Sequence, residues 1–257
     1  MDPVRAAILV SVALFFGILI CLEIGFRIGR RDSAECASAY EGIGVIEATV
    51  VGLLGLLLAF SFAGGTSRLD ARRQLVVQEA NAIGTAYLRL DALPIDARPQ
   101  MRRLFRDYLD ARLRVYEELS DPQAAQKELT RAAELQNQIW SHAVVGSRND
   151  STQNAARLLL PAVNEMIDVT TARTVALYTH LPGLLFVLLA TVALSTGLLA
   201  GYAMAKRGRR SLLHVVSYAA VIAVTVYVIL DLEIARFGLI RLDEADQALL
   251  QLRESIR

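Results

Sequence analysis

Four long stretches of this chain carry no charged residue: Ala6–Leu22, Ala48–Ser67, Leu181–Ala205 and Ser211–Leu230, the last with His214 as its one ionisable group. A helix that crosses the hydrocarbon core of a bilayer needs roughly 20 apolar residues, because the core is about 30 Å thick and each residue rises about 1.5 Å. The four stretches therefore predict transmembrane helices over about residues 6–28, 43–65, 181–205 and 211–235. With 54% of its 257 residues hydrophobic, the chain is too apolar for an ordinary water-soluble domain. The first stretch is expected to be an uncleaved anchor. Its apolar run is long for a signal peptide, and Arg27, Arg30, Arg31 and Asp32 separate it from the small-residue sequence Ala37-Ser38-Ala39.

The charges gather between the second and third spans. Thr66–His180 holds 15 Lys+Arg and 14 Asp+Glu, so residues 66–180 are expected to form a soluble domain. Its helix signals are legible: one helix, Ser67–Leu93, ends at Pro94, and another spans Pro99–Leu119, with Met101, Leu104, Phe105, Tyr108, Val115 and Leu119 on one apolar face. A third starts at Asp121-Pro122, where a capping carboxylate precedes a first-turn proline. After a break at Gly146–Asp150, a fourth returns towards the third span with Pro161 inside it. The fold class is thus all-α: a polytopic membrane protein with four transmembrane helices and a soluble antiparallel helical bundle inserted between the second and third. Residues 239–257 form an amphipathic tail.

Small residues recur at four-residue spacing in two spans: Gly44, Ala48, Gly52, then Gly55, Ala59 and Ala63 in the second, and Ala193, Gly197, Gly201 and Ala205 in the third. Such faces let helix backbones approach closely, either within one subunit or between subunits. Glu23, Glu47, Asp231 and Glu233 lie near span ends. Glu23 and Arg27 are spaced for an ion pair, and Arg236 lies near Asp231 and Glu233. Interfacial pairing is the simpler reading of these carboxylates; lining an ion path is the alternative. In the domain, Arg72 and Glu79 share a helix face and could bridge to Asp168 or Arg173. Asn81 and Thr85 share another, suited to a polar contact with a neighbouring helix or to a solvated path.

Catalytic and cofactor signals are absent from the pattern. His142, His180 and His214 are widely separated, and Cys21 and Cys36 fit neither a disulfide framework nor a zinc site, so no metal or cofactor is expected. Cys21 reads as a small hydrophobe buried within the membrane. Gly64-Gly65-Thr66 lacks the lysine of a phosphate loop. The basic run Arg98, Arg102, Arg103 and Arg106 is followed by Asp107 and Asp110 and reads as a solvated face, while Trp140, the one tryptophan, reads as bundle core. With 27 basic against 26 acidic residues there is no cationic surplus for nucleic acid.

The segment Gln78-Glu79-Ala80-Asn81-Ala82-Ile83-Gly84-Thr85-Ala86-Tyr87, followed by Leu93-Pro94, resembles the bacterial bestrophin-like membrane family, a group of unknown function. So do Leu181-Pro182-Gly183-Leu184 and the run Asp231-Leu232-Glu233 with Arg236, Gly238, Leu239, Ile240 and Arg241. The resemblance covers almost the whole chain; Ala235 departs from it, standing where relatives often carry a proline that would sharpen the turn after span four. It implies distant kinship with bestrophins, oligomeric anion channels with four spans per subunit, and hence a bacterial cytoplasmic membrane, a homo-oligomer and a small anion as cargo. The alternative is a non-catalytic sensor or assembly protein whose bundle binds a partner. Bestrophins narrow their pore with bulky residues on successive turns of span two; Phe60 and Phe62, two residues apart, point to different faces. The short loops carry Arg27, Arg30, Arg31, Lys206, Arg207, Arg209 and Arg210. The positive-inside rule places them in the cytoplasm and the bundle outside, the reverse of the bestrophin arrangement.

Overall fold

A computed structural model describes residues 3–31, 40–146, 153–206, 212–234, 238–239 and 243–256. Its helices are α1 (Pro3–Arg31), α2 (Tyr40–Leu88), a short 3₁₀ turn (Arg89–Ala92), α3 (Arg98–Glu117), α4 (Pro122–Gly146), α5 (Gln153–Tyr178), α6 (Gly183–Lys206), α7 (Leu212–Glu233) and α8 (Asp243–Ser255). Four helical stretches are long and apolar enough to cross a membrane, which makes this a multi-pass membrane protein. They fall on α1, the first part of α2, α6 and α7. The chain divides into two compact units, Met1–Leu69 with His180–Arg241, and Asp70–Thr179 with Leu242–Arg257.

In the membrane unit α1 packs against α6 and α7, around Leu14, Ile18, Leu22, Ala193, Ala219 and Ile222. The α1–α6 contact is reciprocal and depends on missing side chains. A Cβ on Gly201 would lie 2.0 Å from the Leu22 carbonyl oxygen, and one on Gly25 would lie 1.9 Å from that of Leu198. Backbone therefore touches backbone, the van der Waals contact that must hold helices together where lipid competes equally for apolar surface. The span-three stripe at Gly197 and Gly201 thus works within the subunit. Cys21 lies at the edge of this contact, half-buried, its Cβ 3.6 Å from a Cβ placed on Gly197.

The span-two stripe behaves oppositely. Gly44, Ala48, Gly52, Gly55 and Ala59 are all exposed, and a Cβ on Gly44, Gly52 or Gly55 would meet no atom within 4 Å. Only 11% of the apolar window of α2 is buried in the chain, against 33% for α7. It is held by Leu54 in the membrane core and by the close approach of Gly65 to Leu232.

In the second unit the core gathers Val76, Ile83, Phe105, Tyr108, Ile139 and Met166. Asp121 caps α4 as expected, its Oδ1 accepting from the Gln123 and Ala124 N–H groups at 2.9 and 3.3 Å. Helix α5 continues through Pro161. The amphipathic tail packs on the bundle unit: Leu249 and Ile256 of the α8 segment are buried in its core, and the Arg253 Nε donates to Asp110 at 2.5 Å. Two expectations need correction. Helix α2 runs unbroken from the second span into the bundle, so no new helix begins near Ser67. Trp140 lies outside the core and is exposed.

Candidate functional site

Helix α3 buries Met101, Phe105, Tyr108 and Val115 at alternating four- and three-residue steps, and Arg112 falls on the same register. An arginine there must bring a counter-charge with it, since an unpaired buried cation costs far more than a surface one. Glu79 of α2 supplies it. The Arg112 Nε donates to Glu79 Oε1 at 2.6 Å, and the Arg173 Nη1 of α5 donates to Oε2. All three side chains are buried, Glu79 completely. The Arg112 Nη2 also donates to the Tyr116 hydroxyl at 2.6 Å, and the Arg173 guanidinium lies 3.8 Å from the Tyr116 ring centroid, stacked on its face.

The network reaches the remaining bundle helix through hydroxyls. The Gln136 Nε2 of α4 donates to the Tyr108 hydroxyl at 3.1 Å, and that hydroxyl lies 2.7 Å from Thr170 Oγ1. Thr170 in turn is 3.3 Å from Glu79 Oε1 and 2.7 Å from the Met166 carbonyl. One connected polar cluster therefore links α2, α3, α4 and α5. Burial alone would raise the Glu79 carboxyl, but the Arg112 and Arg173 charges and hydrogen bonds outweigh it and hold the group below the usual carboxylate range. Burial likewise opposes the Arg112 charge, yet Glu79 more than restores it. Burial, then the Glu79 charge, pushes the Tyr108 phenol up, so it stays a neutral donor. The chemistry of this cluster is that of a fixed charged clamp.

The other sequence-selected residues separate. Arg72 does not pair with Asp168; its Nε and Nη2 donate to the Ala176 and Thr179 carbonyls at 3.1 and 2.9 Å, where the end of α5 leaves acceptors unfilled. Asp168 instead accepts from Asn164 at 2.8 Å. Asn81 and Thr85 are both exposed; among the described residues neither makes a polar contact with another helix of this chain, and their exposure is compatible with the alternative of a solvated face. Arg112, which sequence reasoning missed, was signalled by a charged residue in the buried register of an otherwise apolar face.

At the end of α7 in the membrane unit, Glu233 accepts from Arg68 Nε at 2.9 Å and from the Leu181 N–H at 3.1 Å, with His180 Nδ1 at 3.8 Å. It thus joins the exits of the second and fourth spans to the start of the third. Asp231, equally buried, accepts from the Leu239 N–H at 3.0 Å with both carboxylate oxygens. A Cβ on Gly238 would lie 2.2 Å from Asp231 Oδ1, so any side chain there would have to push this carboxylate aside. Ala235 and Arg236 lie outside the described residues. The expected Glu23–Arg27 pair is present at 2.8 Å. Among the described residues no group of His, Cys, Asp and Glu is placed to hold a metal ion.

A model of the Bestrophin-like domain matches residues 10–241. The chain belongs to the Bestrophin-like family. No curated protein and no solved structure matches it. The Bestrophin-like match takes in both constellations, from the Glu79 clamp to the Gly238 turn; the whole of α8 lies beyond it.

Proposed function

We propose that this Bestrophin-like membrane protein assembles with copies of itself into a non-catalytic channel for small anions. The observation that carries the reading is the second span. Its small-residue face at Gly44, Ala48, Gly52, Gly55 and Ala59 is bare in the single chain, whereas the equivalent face of the third span is filled by α1. A span with so little cover suits contact with other subunits or with a conduction path. Phe60 and Phe62 are both exposed on this helix but stand on different faces, so no two-ring constriction is assigned to them.

Purified protein reconstituted in liposomes is expected to pass chloride and, in mild detergent, to give an oligomer by native mass spectrometry. Absence of chloride flux across varied voltage, pH and calcium would refute the channel; a monomer alone would refute the assembly. A second reading, a partner-binding sensor, draws on the exposed Ile95, Trp140 and Val145 of the bundle unit. Gln100 bonds to His142 at 3.1 Å, so the segments bearing these side chains run close together. Capture of a bundle-specific partner with no flux would favour it. For orientation in a bacterial cytoplasmic membrane, the loop arginines and lysine support cytoplasmic short loops and an extracytoplasmic bundle.

A further inference from the structure

Helices α1 and α7 do not close completely. Between Ile8, Val12 and Phe16 on one side and Ala220, Val224 and Tyr227 on the other lies an apolar groove of about 380 Å³. Ile8, Val12, Phe16 and Val224 are exposed in the chain, so the groove opens where spanning helices meet the hydrocarbon. Ser11 beside it is spent on its own helix, its hydroxyl donating to the Ala7 carbonyl at 2.9 Å. In a bilayer an apolar groove cannot remain empty without forfeiting dispersion contacts along both walls.

The occupant follows from the shape and from the charge at one end. A groove of about 380 Å³ has room for a single flexible hydrocarbon chain laid along it. Arg5 lies three residues before Ile8 and seven before Val12, which puts it on the same face of α1, and it is exposed. Four spans bring the start of α1 and the end of α7 to one side of the membrane. The cation therefore stands at headgroup level on the side to which the groove leads. A guanidinium has five donors and can serve a phosphate alongside another acceptor.

We propose that the α1–α7 groove seats one acyl chain of a phospholipid whose anionic headgroup is held at Arg5. The site needs no second subunit. Delipidated protein supplied with phosphatidylglycerol or phosphatidylcholine is expected by native mass spectrometry to retain one phosphatidylglycerol per chain in preference to phosphatidylcholine. Ala220→Phe, which fills the groove, should abolish that adduct. Arg5→Gln should keep chain binding and lower the preference for the anionic lipid about fivefold, the effect of one cation near a lipid surface. A phosphatidylglycerol carrying a diazirine near the middle of its acyl chain should label wild-type peptides containing Ile8–Phe16 and Ala220–Tyr227. This readout does not require the groove-filled variant to fold. Labelling elsewhere, or unchanged lipid retention in well-folded Ala220→Phe, would overturn the site. Efficient disulfide formation between copies through Phe16→Cys would show that another subunit covers the groove, and would overturn it too.

Discussion

Replacing Glu79 by Gln removes one negative charge and leaves Arg112 and Arg173 facing each other in the core of the bundle unit. The amide keeps the size of the side chain and some hydrogen-bonding capacity, so the effect reports charge rather than a cavity. Stranding buried partners in this way costs about 3–5 kcal/mol, and a domain of this size loses about 3–5 °C of melting temperature per kcal/mol. The variant should therefore melt about 10–20 °C below the wild type at neutral pH. Trp140 is the one tryptophan and lies on α4, so its fluorescence follows the bundle unit even in the intact membrane protein. The pH dependence has a fixed sign. The Glu79 carboxyl is held below its ordinary value in the fold, so its stabilisation is complete above the unfolded carboxylate range, about pH 4–5, and fades as pH falls through the lower folded value. The gap between wild type and variant should narrow at acid pH. Replacing Glu79, Arg112 and Arg173 together by Met should melt above Glu79→Gln, since no charge is then stranded. A Glu79→Gln protein melting within about 2 °C of wild type at neutral pH would refute the clamp, because that corresponds to well under 1 kcal/mol.

Gly201→Leu should prevent recovery of monodisperse protein on size exclusion, because the new side chain would collide with the Leu22 carbonyl; Gly52→Leu should leave the single chain folded and alter at most the oligomer. Gly238→Ala should lower the melting temperature by displacing the Asp231 carboxylate from the Leu239 N–H, and a variant indistinguishable from wild type would count against that turn. In α8, Leu249→Ala should destabilise the bundle unit by about 2–4 kcal/mol as a buried truncation, measured by denaturant titration, while Arg253→Ala, removing an exposed pair with Asp110, should be silent. Gln138→Cys on the exposed side of α4, with Cys21 and Cys36 removed, should react with an impermeant thiol reagent in intact cells; protection until lysis would reverse the proposed orientation.

What the sequence made legible was whatever depends on local composition or on one turn of chain. The four spans followed from uncharged length, and the start of α4 from Asp121-Pro122, because insertion and capping are decided by neighbouring residues. The unbroken α2 was hidden for a physical reason: composition changes sharply near Gly65, but a helix is held by backbone hydrogen bonds that pass from apolar to charged sequence without interruption. Glycines there cost only about 1 kcal/mol each against alanine.

The site divides along the same line. Glu79 and Arg173 could be joined in advance because the returning helix limits which faces meet, whereas Arg112 was obscured by reading its helix for apolar residues alone. A charge in the buried register of a helix carries more information than the hydrophobic residues around it, since it requires a partner on another element. The same reasoning applies to the spans. Gly25 and Gly29, with Gly17 and Cys21 at the same spacing, formed a third small-residue stripe on α1, complementary to Gly197 and Gly201. Counting such stripes in pairs leaves the face of span two as the one without a counterpart among the described residues, and it is there that the proposed assembly has to be tested.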